Sequence, residues 1–156
     1  MQTPGQRIAL SRWLALGSAK RIECTGVSED HIGIVWKDAA PLLEKALGEG
    51  ETMEQVLAAL FQKRAQLWIG ADETNLHVAC VTEIVRRGGR LLCNVWLAGG
   101  RGVNNWLYFL DTIEKWAKEQ GCDAMLIDRA RMGWKRLLPK YRIKTISLEK
   151  DIRNGR

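Results

Sequence analysis

Hydrophobic positions recur along this chain with two periods, and the period switches several times. Residues 91–97, Leu91-Leu92-Cys93-Asn94-Val95-Trp96-Leu97, read as a strand. Glycines at 99, 100 and 102 then make a turn, and residues 103–120 place Trp106, Leu107, Leu110, Ile113 and Ala117 near helical spacing. Gly121 stops that helix, and residues 124–127 read as another strand. Upstream, residues 21–27 predict a first strand. Ser28, followed by Glu29-Asp30 and His31, predicts a helix start, because acceptors and acids suit a helix N-terminus. That helix carries Ile34, Val35 and Trp36, and Pro41 predicts an end or a kink before residues 42–47 continue helically. Gly48-Glu49-Gly50 breaks the chain, and Thr52 with Gln55 forms a capping-box pattern for a helix over 53–63. Extended segments follow at 66–70 and 76–85, separated by a turn at 72–75. Arg86-Arg87-Gly88-Gly89 then folds the second into residues 90–97 as a hairpin. A short helix over 132–138, ended by Pro139, and a strand over 143–148 complete the order.

This order predicts an α+β fold: one domain with a central mixed, mostly antiparallel sheet flanked by helices. The expected division is an N-terminal arm at 1–20, a folded domain at 21–150 and a short tail at 151–156. At 156 residues a single domain with a real core is expected. No apolar run approaches the roughly 20 residues that span a bilayer. The N-terminus lacks the apolar stretch of a signal peptide, so a cytoplasmic location is expected.

Charge adds little. Lys and Arg outnumber Asp and Glu by 24 to 18, a net +6, but the basic residues are spread. Arg86-Arg87 with Arg90, Arg129 with Arg131, and Lys135-Arg136 with Lys140 and Arg142 are small groups, so nucleic-acid binding is possible but not favoured. The four cysteines, Cys24, Cys80, Cys93 and Cys122, lie far apart in apolar surroundings with no CxxC pair, which argues against a metal site and for buried free thiols. A cysteine nucleophile would need His77 beside Cys80 or Cys93. Of seven tryptophans, Trp36, Trp68, Trp96, Trp106, Trp116 and Trp134 fall in apolar patterns and are expected to pack. Trp13, beside Arg12 in the arm, is instead an expected partner anchor.

The chemistry concentrates at the glycine turn. A strand entering such a turn and then a helix leaves free N–H groups at a positive helix end, which can hold a pyrophosphate. The structural alternative is a plain turn. Several segments bear on the choice: Gln66-Leu67-Trp68-Ile69-Gly70, Ala79-Cys80-Val81-Thr82-Glu83-Ile84, Ile113-Glu114-Lys115-Trp116-Ala117, Gly121-Cys122-Asp123-Ala124-Met125, Gly133-Trp134 and Leu138-Pro139-Lys140-Tyr141. In this order and spacing they resemble the GNAT superfamily of acyl-CoA-dependent N-acyltransferases over roughly residues 21–150, and more narrowly the small GNAT-like proteins of tailed bacteriophages. The resemblance implies a coenzyme A site at Leu97, Gly99, Gly100, Arg101, Gly102 and Asn104, and a base at Glu83. It also shows departures. The family loop has the form Gln/Arg-x-x-Gly-x-Gly/Ala. Here Ala98, Arg101 and Val103 occupy its first, fourth and sixth positions. These imply weak coenzyme A binding or none. Tyr141 falls where the family has an aromatic core residue rather than its proton-donating tyrosine. Two functions follow as expectations. One is a phage-encoded virion component with a degenerate acyl-CoA site, without cofactor, contacting other virion proteins or itself through Arg12 and Trp13. The alternative is an active acetyl-CoA-dependent N-acetyltransferase acting on a protein or small-molecule amine. The expected location is the bacterial host cytoplasm or the virion.

Overall fold

A computed structural model of the chain describes residues 23–100, 105–128, 138–144 and 148–153. The elements are β1 (Glu23–Val27), α1 (Glu29–Glu44), α2 (Met53–Phe61), β2 (Gln66–Ala71), β3 (Leu76–Arg87), β4 (Arg90–Gly100), α3 (Asn105–Glu119) and β5 (Ala124–Leu126). They form one α+β domain around a five-stranded sheet of order β1-β2-β3-β4-β5. The first four strands pair antiparallel with their neighbours, and β5 pairs parallel to β4. A parallel pair needs a long crossover, and α3 supplies it. The arm with Arg12 and Trp13, the turn residues Arg101, Gly102 and Asn104, and the expected helix over 132–137 lie outside the described residues. Of the last expected strand, Ile143, Lys144 and Leu148 are exposed and irregular, and residues 145–147 are not described.

Two cores sandwich the sheet. One face packs Leu67, Ile69, Ala79, Val81 and Leu97 against Ile32, Val35, Ala39 and Leu43 of α1 and Val56 and Leu60 of α2. The other packs Trp68, Val78, Cys80, Cys93 and Val95 against Phe109, Leu110, Ile113 and Ala117 of α3. The expected inward face of α3 is thus observed at Leu110, Ile113 and Ala117, with Phe109 added, while Asp111, Lys115, Lys118 and Glu119 are exposed. The side chain of Trp106 is outside the description. Trp68 stacks edge-on against Trp116 with ring centroids 5.1 Å apart, and its Nε1 donates to the buried Thr82 Oγ1 at 2.9 Å. The expected tryptophan packing holds for these two and for Trp36 and Trp96.

Local expectations divide. The capping box is present: Gln55 N donates to Thr52 Oγ1, and Thr52 N donates to Gln55 Oε1. Ser28 does sit at the N-cap of α1, but its hydroxyl shares a 2.6 Å hydrogen bond with His31 Nδ1 instead of capping a backbone N–H. Pro41 does not end the helix, which runs on to Glu44. Buried Ala39 and Leu43 flank it, and their packing outweighs one missing backbone bond.

The turn at 72–75 is tied by Asp72. Its Oδ1 accepts from the backbone N–H of Thr74 and Asn75, and its Oδ2 pairs with His77 Nε2 at 2.6 Å. The hydrogen bond with His77, then those from Asn75 and Thr74, hold this carboxyl well below the usual carboxylate range. A depressed carboxyl stabilises the fold above its unfolded value, about 3.9, and that contribution is lost as pH falls towards the folded value. In denaturant unfolding at several pH values, Asp72→Asn is expected to be less stable than wild type at pH 5–7, with the gap closing below about pH 4. A gap that stays constant down to pH 2 would show that Asp72 is not the group being protonated.

Candidate functional site

The chemistry-bearing residues converge where β4 leaves β5. Parallel pairing covers only Leu92↔Ala124, Cys93↔Met125 and Asn94↔Leu126. Beyond Asn94, β4 continues for six residues to Gly100 with no strand beside it on that edge among the described residues. Alternate residues of a strand aim their N–H and C=O groups at alternate neighbours, so this stretch presents backbone donors and acceptors to the open side.

A β-bulge opens the same stretch. On β3 the partner of Val81 is Leu97, but the partner of Thr82 is Val95, so Trp96 is the extra residue. The bulge puts Trp96 and Leu97 on one sheet face, both against the α1–α2 core. Trp96 Nε1 there donates to Glu51 Oε2 at 2.7 Å, while Glu51 Oε1 accepts from Gly48 N. The loop between α1 and α2 is thereby pinned to the bulge.

Past the bulge, Glu83 and Asn94 are directly opposed across β3 and β4. Glu83 lies two residues beyond Val81 and so shares the α1–α2 face, one step past the apolar cluster. It is half-buried, and its Oε1 accepts from Asn94 Nδ2 at 3.1 Å. Asn94 is 4% exposed, and its Oδ1 has no hydrogen-bond partner among the described residues. Further along this face Arg87 makes a two-pronged contact with Asp128 just after β5, at 2.9 and 3.2 Å. Its guanidinium also feels Glu83. Arg87 is thus committed to Asp128, and the direct donor to Glu83 is Asn94. Sequence reasoning missed Asn94. The signal was there, a lone amide in an otherwise apolar strand, since a buried polar group must find a partner.

The other expected site residues are less open. Leu97 is fully buried in the α1–α2 core. A side chain on Gly99 would put its Cβ on the carbonyl of Leu42, and one on Gly100 would meet the His77 carbonyl. Gly100 also has φ +152°, a conformation that favours glycine. Both glycines are thus demanded by close packing of α1 and β3, whether or not a phosphate comes near. Gly99→Ala forces backbone against backbone and is expected to cost about 1–3 kcal/mol of stability in urea unfolding; an unchanged midpoint would mean that α1 can retreat freely.

Two further candidates resolve. His77 is the extra residue at a register shift against β2 and is bonded to Asp72, while Cys80 and Cys93 are buried in the α3-side core. Burial pushes the Cys24 and Cys93 thiols up to about 12 and the Cys80 thiol well above its ordinary value, the opposite of an activated nucleophile. All four cysteines are free, and no cluster among the described residues could hold a metal. Tyr141 packs into the α3-side core, and burial pushes its hydroxyl up to about 12. No described helix is long and apolar enough to cross a membrane.

No protein-family profile matches the sequence, and no curated protein does. Solved structures do match. Glucosamine-6-phosphate N-acetyltransferase from Arabidopsis thaliana aligns with a TM-score of 0.62 at 13% identity, over 85% of this chain and 99% of that one. A ribosomal-protein-alanine N-acetyltransferase from Brucella melitensis aligns at 0.59 and 15%, over 86% and 99%. A GNAT family acetyltransferase from Staphylococcus aureus aligns at 0.59 and 12%, over 85% and 99%. At such identities the likeness establishes the fold: this chain has the GNAT fold. A likeness specific to phage proteins is not shown by these structures.

Proposed function

We propose that this chain is an acyl-CoA-dependent N-acyltransferase in which Glu83 is the general base. The observation that carries the reading is the Glu83–Asn94 pair, a half-buried carboxylate held by a buried amide where β4 parts from β5. A carboxylate kept in place by one donor, with Oε2 free of hydrogen bonds among the described residues, can take a proton from an amine directly or through water. The open edge of β4 suits the other substrate, because the pantetheine arm of coenzyme A carries amides that can pair with a free strand edge. The acceptor nitrogen attacks the thioester carbon, Glu83 removes a proton from that nitrogen, and the C–S bond breaks to release the thiolate of coenzyme A, which takes a proton from water while Glu83 returns its own to solvent. Tyr141 sits in the α3-side core and is given no part in protonating the leaving sulfur. The similar structures named above are acetyltransferases, which agrees with this reading.

A non-catalytic role on the same scaffold, as a binding or virion-associated component, is favoured by one observation. Gly99 and Gly100 are explained by packing alone, and Ala98, Arg101 and Val103 depart from the coenzyme-binding pattern. Amine-dependent release of free thiol from acetyl-CoA separates the two: an enzyme gives it, and a binding component does not.

A further inference from the structure

The bulge at Trp96 lies between the two parts of the candidate chemistry. On one side of it Asn94 faces Glu83, and on the other β4 runs to Gly100 along its open edge. A bulge bends its strand and increases the local twist, so its shape sets the angle between these parts. The extra residue has no opposite number on β3, and Trp96 is fixed instead through its side chain. Its ring packs on the α1–α2 core, and Nε1 donates to Glu51 Oε2 at 2.7 Å. The same carboxylate closes its own turn: Oε1 accepts from Gly48 N at 2.7 Å, and Glu51 N donates to the Gly48 carbonyl at 3.1 Å. Gly48, Glu51 and Trp96 are half-buried, while Glu49 and Gly50 at the tip of the turn are exposed. A bond from an indole N–H to a carboxylate is charge-assisted, about twice as strong as a neutral one, and partial burial strengthens it further. The end of the α1–α2 loop is thus bonded to the residue on which the bend of β4 turns.

We infer that Glu51 is a positioning residue: by holding the Trp96 indole it fixes the bulge, and with it the angle at which the open edge of β4 presents the thioester carbon to Glu83. The inference rests on the acyltransferase reading of the same site. Both carboxylate oxygens of Glu51 already accept hydrogen bonds, so its part is mechanical and it takes no proton in the reaction. The edge beyond the bulge has supports of its own. Leu97, Ala98, Gly99 and Gly100 pair with β3, and the close approach of Leu42 to Gly99 and of His77 to Gly100 anchors the end. Losing the Glu51–Trp96 bond therefore leaves the edge able to bind acyl-CoA but releases the joint that orients it. A misplacement of about 1 Å at a reacting centre can cost about 100-fold in rate. The effect should fall on kcat and not on KM for the acyl donor.

The test uses the full-length chain with Glu51→Ala, Trp96→Phe and the double variant, assayed for amine-dependent thiol release from acetyl-CoA. Each single variant is expected to lower kcat by about 10–100-fold, with KM for acetyl-CoA within about 3-fold of wild type. Because both remove the same bond, the double variant should lie within about 3-fold of the lower single one instead of showing the product of the two losses. Glu49→Ala, on the same turn but exposed, should keep the wild-type kcat. A folded single variant with wild-type kcat, a loss confined to KM, losses that multiply, or a comparable loss in Glu49→Ala overturns the inference and leaves the acyltransferase reading standing. Absence of thiol release from wild type itself, with a folded protein, overturns both. Should Trp96→Phe fail to fold, the backbone amide resonances of Glu51→Ala decide. Those of residues 94–98 are expected to move from their wild-type positions. Shifts confined to residues 48–52 would show that the carboxylate supports its own turn and not the bulge.

Discussion

Replacing Glu83 with glutamine is expected to lower kcat/KM for acyl transfer to an amine by about 10²–10⁴-fold, the usual contribution of a positioned general base. The substitution keeps the shape of the side chain and its carbonyl oxygen, so Asn94 Nδ2 still has an acceptor in place of Oε1. What it removes is the ability to take a proton. Glu83 is half-buried at the margin of the apolar cluster and contributes no hydrophobic packing to either core, so the unfolding midpoint should move little. The loss should therefore appear in turnover alone, with acetyl-CoA binding intact. A Glu83→Gln protein that transfers acyl groups at the wild-type rate would show that the carboxylate is structural.

The largest loss of stability is expected from Ile113→Ala. This side chain is fully buried at the centre of the α3-side core, with Cys80, Cys93 and Val95 of the sheet among the residues packed there. Removing its outer carbons loses their transfer energy and leaves a cavity that the sheet cannot fill, a cost of about 2–5 kcal/mol. Lys118 is on the same helix but exposed, and Lys118→Ala should stay within about 1 kcal/mol. The contrast, measured by urea unfolding, isolates the buried face of α3 from helix propensity. Comparable effects at the two positions would mean that α3 is not held by its apolar stripe.

The element order was legible in the sequence because each piece carries its own local signal. The stripe of Leu110, Ile113 and Ala117 has the helical period, Thr52 with Gln55 is a self-contained cap, and Gly88-Gly89 sits between two extended runs. Phe109, four residues before Ile113 and three after Trp106, fits the same helical spacing and was legible too, although the expected stripe omitted it. The bulge at Trp96 was not legible. It comes from a mismatch between strands that the alternation of neither strand records, and it places two consecutive side chains on one face. The turn glycines were legible as glycines but not in their cause. Leu42, which closes on Gly99, is fifty-seven residues away in sequence, and only the packed fold brings its carbonyl there. Glu83 was singled out from the resemblance, whereas Asn94, its donor, depended on the register of the hairpin.

The most direct measurement is the fate of acetyl-CoA, at about 1 mM, the upper end of common KM values, mixed with the full-length chain and a primary amine. Free thiol and acetylated amine are quantified together by mass spectrometry. The expected result is one acetylated amine for each thiol released, dependent on both protein and amine and suppressed in Glu83→Gln. Thiol release no faster than in the Glu83→Gln protein, from a folded wild-type chain, would contradict acyl transfer at this site.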